Sequence, residues 1–140
     1  MSEANKALVR EVIEGFARGN FDAVDKNVAT NVVDHGALPG QPAGIAGYRG
    51  TLQAYQSAFQ PKVVIHSQVA EGDLVATRWS YDGKHVAEFM GQKPTNRAAQ
   101  GEVHSFDRIA NGKIVEEWVQ FDSAGIMIAT GLLPELAASR

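Results

Sequence analysis

Apolar residues recur at Leu8, Val9, Val12, Ile13 and Phe16, a stripe at three- and four-residue spacing that predicts an amphipathic helix ending at Gly19-Asn20. Asn20 or Asp22 can cap a short second helix carrying Phe21, Val24 and Val28, which VVDHGALPGQPAG interrupts with a short strand and a Pro/Gly loop. A third helix is expected from about Ile45 to Phe59, with Tyr48, Leu52, Tyr55 and Phe59 on one face and Pro61 barring continuation.

Beyond Pro61 the period falls to two. Val63, Ile65, Ser67 and Val69 alternate with Val64, His66 and Gln68, so His66 is expected on the face opposite Val63, Ile65 and Val69. The turn Glu71-Gly72-Asp73 starts a strand from Leu74 to Tyr81, Asp82-Gly83 reads as the next turn, and a further strand is expected near His85 to Met90 before a loop holding Pro94. Gly101 to Asp122 then reads as two strands joined at Asn111-Gly112. The apolar tail from Ser123 to Ala138 is expected to form a turn or short helix folding back over the sheet.

Helices followed by hairpin-linked strands predict one α+β domain over residues 1–140. A strongly curved mixed or antiparallel sheet, closed by about three N-terminal helices, makes a cone whose inner face is a natural small-molecule pocket.

Composition narrows the chemistry. The 140 residues are 44% apolar and 21% charged with a net charge of −3, and the 13 basic residues form no stripe, so neither nucleic acid nor a membrane is expected as a partner. No cysteine is present, which excludes disulfides, thiolate metal sites and a cysteine nucleophile. The four histidines, His35, His66, His85 and His104, have no helical i, i+3 or i, i+4 spacing, so no metal site is expected. The N-terminal segment lacks a signal-peptide pattern, and a cytoplasmic setting is the default expectation.

The Gly101 to Asp122 hairpin carries the candidate chemistry. A three-residue loop at Ala110-Asn111-Gly112 would place Val103, Ser105, Asp107 and Ile109 on one face with Val115, Glu117, Val119 and Phe121. Asp107 and Glu117 would then sit among apolar neighbours, where desolvation and mutual repulsion raise carboxyl pKa values and fit them for acid–base work. Either acid could instead lie solvated at a strand end or pair with Arg78, Arg97 or Arg108. The opposite face would carry His104, Phe106, Arg108 and Trp118, an aromatic and arginine mixture that suits a homodimer interface or a second layer of core under the tail. Asp34 and His35, where the first strand enters its loop, are further candidate catalytic groups, though a solvent-exposed turn histidine accounts for His35 equally well.

The ordered set GNFDAVD, VVDHGALPG, GIAGYRGTLQAYQSAF, EGDLVATRW, GKHVAEFMGQKPTNR and RIANGKIVEEWVQFDSAG resembles the SnoaL-like polyketide cyclases, within the nuclear-transport-factor-2-like or ketosteroid-isomerase-like superfamily. The resemblance spans nearly the whole chain. It implies the α+β cone, a hydrophobic pocket, frequent dimers and no cofactor. It also implies ring closure by intramolecular aldol chemistry, with a catalytic aspartate directly after the position of Trp118 and a histidine on the central strand. Here those positions hold Val119 and Ser105, with His104 one residue out of register.

Two readings follow. The first is a cofactor-independent enzyme acting on a hydrophobic polyketide- or ketone-like molecule by aldol-type cyclisation or isomerisation. Its catalytic residues would come from Asp107, Glu117, Asp34 and His35, and its substrate contacts would be Ser105, Val119, Trp79, Tyr55, Phe121 and His104. Epoxide hydrolysis would need an Asp-Arg-Asp arrangement, from which Arg78 alternates away. The second is a non-catalytic ligand-binding or dimeric interaction domain, favoured by Val119.

Overall fold

The computed structural model describes residues 2–134. Helix α1 (Ser2–Arg18) buries Val9, Val12, Ile13 and Phe16 and ends at Gly19, whose positive φ of 73° suits glycine at a helix C-terminus. Helix α2 (Asp22–Asn27) is a single short turn whose Asp22 N–H donates to the Asn20 side chain. Val28, expected in that helix, instead opens strand β1 (Val28–Asp34). Helix α3 (Ile45–Phe59) ends at left-handed Gln60, just before Pro61.

Strands β2 (Lys62–Glu71), β3 (Leu74–Lys84), β4 (Ala98–Ala110) and β5 (Lys113–Phe121) form an antiparallel meander. Strand β1 joins its far edge parallel to β5, giving one mixed sheet in the order β1-β5-β4-β3-β2. The sheet is curved and unclosed, and α1 and α3 pack on its inner face around Val9, Val24, Tyr48, Val75 and Ile114. Helix α4 (Ser123–Thr130) folds back onto β4, as expected for the tail; residues 135–140 of that stretch lie outside the described ones. No helix among the described residues is long and apolar enough to cross a membrane.

Three local readings are corrected. Asp82-Gly83 is no turn, because β3 runs through it to Lys84. Gly83 is there for space: a Cβ at that position would lie 2.6 Å from the Phe59 carbonyl oxygen at the end of α3. His85 to Met90 forms no strand beyond an isolated Phe89–Gln92 bridge; His85 is instead fully buried, its Nδ1 accepting the Thr95 N–H at 3.2 Å and stacking near Phe59. In β2 a bulge between Ile65 and Ser67 turns the later residues over, so Val69 is 68% exposed rather than sharing the inner face of Val63 and Ile65. His66 does face outward and lies 2.9 Å from Ser80 Oγ.

Candidate functional site

Three carboxylates line up across three adjacent strands. Parallel pairing sets Asp34 of β1 beside Glu117 of β5, and antiparallel pairing sets Asp107 of β4 opposite Glu117; the same row continues into apolar Val75 and Ala70. The face of these acids rests on two irregularities that cancel. Asn111 and Gly112, both at positive φ, make a two-residue turn in which Ala110 pairs with Lys113, not the three-residue loop the pattern suggested. That turn alone would send Glu117 outward, but a bulge beyond the Ile109–Ile114 pair restores odd-to-odd pairing at Asp107–Glu117, Ser105–Val119 and Val103–Phe121. Near the turn it is therefore Ile114 that faces inward.

This inner face borders a cavity of about 100 Å³. Its wall is apolar and aromatic, with Phe16, Tyr55, Phe59, Trp79, Tyr81 and Phe121 among the lining residues, and among the described residues Asp34 and Glu117 are its only carboxyls. Glu117 retains some accessible surface although neighbouring groups enclose it, because what remains accessible opens into the cavity rather than bulk solvent. Asp107 stands behind the wall, 1% exposed.

Burial raises all three carboxyls. Glu117 is pushed well up by desolvation first, then by the charge of Asp107 and the hydrogen bond it gives that group, with Asp34 adding to the repulsion; the Tyr48 hydroxyl, donating to Glu117 Oε1 at 2.9 Å, offsets part of this. Asp107 is raised to about 6 by desolvation, moderated by its bond from Glu117. The direction is one proton held by Glu117 and shared with ionised Asp107. Asp34 is raised by partial burial, against which the Gly36 N–H, donating to Oδ1 at 2.9 Å, and the adjacent His35 favour its charged form.

Among the described residues no arginine takes part. Arg78 pairs with Glu102, Arg97 with the Ile128 carbonyl, and Arg108 with Asp73 and Glu116, so the solvated or arginine-paired account of Asp107 and Glu117 does not hold, and no Asp-Arg-Asp set faces the cavity.

Of the expected contacts, Val119, Phe121, Trp79 and Tyr55 join Asp34 and Glu117 at the wall. Ser105 is buried beside Val119 with no hydrogen-bond partner for its hydroxyl. His35 and His104 are corrections. His35 leaves the strand end outward, stacks on Trp118 at 5.1 Å between centroids and bonds Glu116 at 2.8 Å. His104 lies on the outer face, 3.0 Å from Glu102, because strand alternation turns it away from Ser105. Tyr48 had figured only as one apolar position of α3; its phenol is the missed residue, and the sequence signal was a buried tyrosine whose hydroxyl needs a partner. Among the described residues no group of three His, Cys, Asp or Glu side chains is placed to hold a metal ion.

The family model for SnoaL-like polyketide cyclases matches residues 6–129. Over 111 residues, covering 76% of this chain and 77% of the relative, the chain is 27% identical to aklanonic acid methyl ester cyclase DnrD of Streptomyces peucetius. Among solved structures, IdmH of Streptomyces antibioticus, assigned as a polyketide cyclase, aligns with a TM-score of 0.75 at 29% identity over 91% of this chain and 98% of that one. AclR of Streptomyces galilaeus, assigned as a hydroxylase, aligns with a TM-score of 0.79 at 25% identity over 93% and 97%.

Proposed function

The chain belongs to the SnoaL-like polyketide cyclase family, and on that premise we propose that it catalyses cofactor-independent acid–base chemistry on a hydrophobic polyketide- or ketone-like carbonyl compound. The observation that carries the reading is an ionisable base and a neutral acid side by side in one aromatic wall: Asp34 with Glu117. Asp34 removes a proton from the carbon next to a carbonyl. The electron pair moves onto the carbonyl oxygen, which Glu117 stabilises by donating its hydrogen. The enol so formed attacks a second carbonyl of the same molecule, closing a ring: its O–H hydrogen returns to Glu117 as its carbonyl re-forms, and the new alkoxide takes the proton held by Asp34. In isomerisation Asp34 instead delivers that proton to another carbon of the enol system. Ring closure is the version that the cyclase relatives favour.

Glu117 and Asp107 sit two residues along the ladder from the Ser105–Val119 pair, where the family resemblance places its histidine and aspartate, so on this reading the chemistry is displaced along the hairpin rather than lost. The test is α-proton exchange of an aromatic β-keto ester in deuterated buffer, followed by NMR. Asp34→Asn and Glu117→Gln are each expected to slow exchange by roughly 10²-fold or more while the fold persists. A wild-type rate in either variant would sink the assignment.

Val119 supports a second reading, a binding domain that keeps the pocket without turnover. It requires the wild-type protein to bind the keto ester with no exchange above buffer.

The outer face supports a homodimer. Val69, Ala76, Phe106 and Trp118 form one row across four strands, with Phe106 50% exposed and Arg108 lying 5.7 Å over the Trp118 ring. Light scattering on Phe106→Glu should report a monomer where the unaltered chain is a dimer; a monomeric unaltered chain would exclude the interface.

A further inference from the structure

Asp107 was the first acid the sequence pointed to, yet it does not reach the cavity. From the geometry we infer that Asp107 is a positioning residue: a buried carboxylate that never touches substrate and acts through Glu117, holding a proton in the pair so that a neutral acid faces the cavity. The inference rests on the acid–base reading of the same site and assigns the one carboxylate that reading leaves unused.

Several observations converge. Asp107 and Glu117 are directly opposed on neighbouring strands. Among the described residues Asp107 Oδ1 has no hydrogen-bond partner and no basic side chain acts on the pair, so Glu117 alone answers the Asp107 charge. The ionisable groups facing Glu117 are Tyr48 from α3, Asp34 from β1 and Asp107 from β4. None is a cation, so a proton is the cheapest way to relieve their repulsion. During turnover the hydrogen moves from Glu117 toward the developing enolate oxygen. Two adjacent carboxylates then draw a proton back when the enol collapses, which returns the pair to its starting state.

The experiment is an NMR titration of carbon-13-labelled Asp and Glu carboxyls in the intact protein without substrate. The Glu117 and Asp107 signals should each register both of two separated steps. In Asp107→Asn, Glu117 should titrate in a single step displaced downward by about one pH unit or more. With the β-keto ester, the same variant should show an unchanged KM and an alkaline limb of kcat displaced the same way. A Glu117 midpoint unmoved in folded Asp107→Asn would overturn the inference. So would wild-type signals that each report one step only, a readout that holds even if the variant fails to fold. Full exchange activity in Glu117→Gln would instead overturn the acid–base reading, separately from the pairing.

Discussion

The Tyr48 hydroxyl on α3 donates to Glu117 Oε1 on β5 at 2.9 Å, tying the helix that roofs the cavity to the acid in its floor. Both partners are enclosed, and the bond favours the charged form of Glu117. Tyr48→Phe should therefore raise the Glu117 pKa further and cost about 1 to 2 kcal/mol of stability, since an enclosed acceptor loses its donor. Urea unfolding at neutral pH checks the second, and the carboxyl titration the first; a lowered Glu117 midpoint would contradict the role.

Stability should fall as pH rises through the mildly acid range. Asp107 goes from an ordinary 3.8 to about 6 in the folded protein, so between those values the native state binds more protons than the unfolded chain. The stabilising effect of its proton is fully present below 3.8 and lost above about 6, on the order of 3 kcal/mol. Glu117, also raised, extends the decline to higher pH. Unfolding free energies of the wild-type chain and Asp107→Asn, measured from pH 4 to 8, should converge toward alkaline conditions on a flatter slope for the variant. Parallel curves would contradict it.

Val119→Asp restores the residue type that the family resemblance expects, but at a place built to be apolar. Val119 packs beneath Gly36, where an added Cβ would lie only 3.2 Å away, and lines the same apolar wall as Tyr55 and Phe121. A fourth carboxyl two residues from Glu117 on the same face should destabilise the protein by about 1 to 3 kcal/mol at pH 7 and by less at pH 5, where it can be protonated. Thermal melts at the two pH values decide it. A gain in stability at pH 7 would mean the wall is wetter than its lining implies.

Gly83→Ala should cost about 1 to 3 kcal/mol, because the added methyl meets the Phe59 carbonyl at 2.6 Å and must push α3 from β3. Urea denaturation measures it, and a neutral result would show that the end of α3 yields freely.

Periodicity reached the helices because each has one apolar face: Val9, Val12, Ile13 and Phe16 are both the stripe and the core. It failed where backbone geometry departs from a simple period. The bulge after Ile65 turned Val69 outward, and Gly83, which looked like a turn residue, serves close packing. The acid face was legible only in part. Asp107 and Glu117 do share it, but through a two-residue turn and a compensating bulge that no residue pattern announces. Asp34 is suggested by its place at a strand-loop edge, but its pairing with Glu117, like the Tyr48 hydrogen bond, is tertiary, and no local spacing encodes it.

The parallel seam between β1 and β5 has a consequence for how the protein comes to life. The meander from β2 to β5 is built from neighbouring strands, and its hairpin already brings Glu117 to Asp107. Asp34 arrives only when the N-terminal strand docks on the far edge, the strand pairing of longest sequence separation and the slowest kind to form. A refolding chain should thus acquire its acid before its base, with recovered turnover trailing the return of sheet structure.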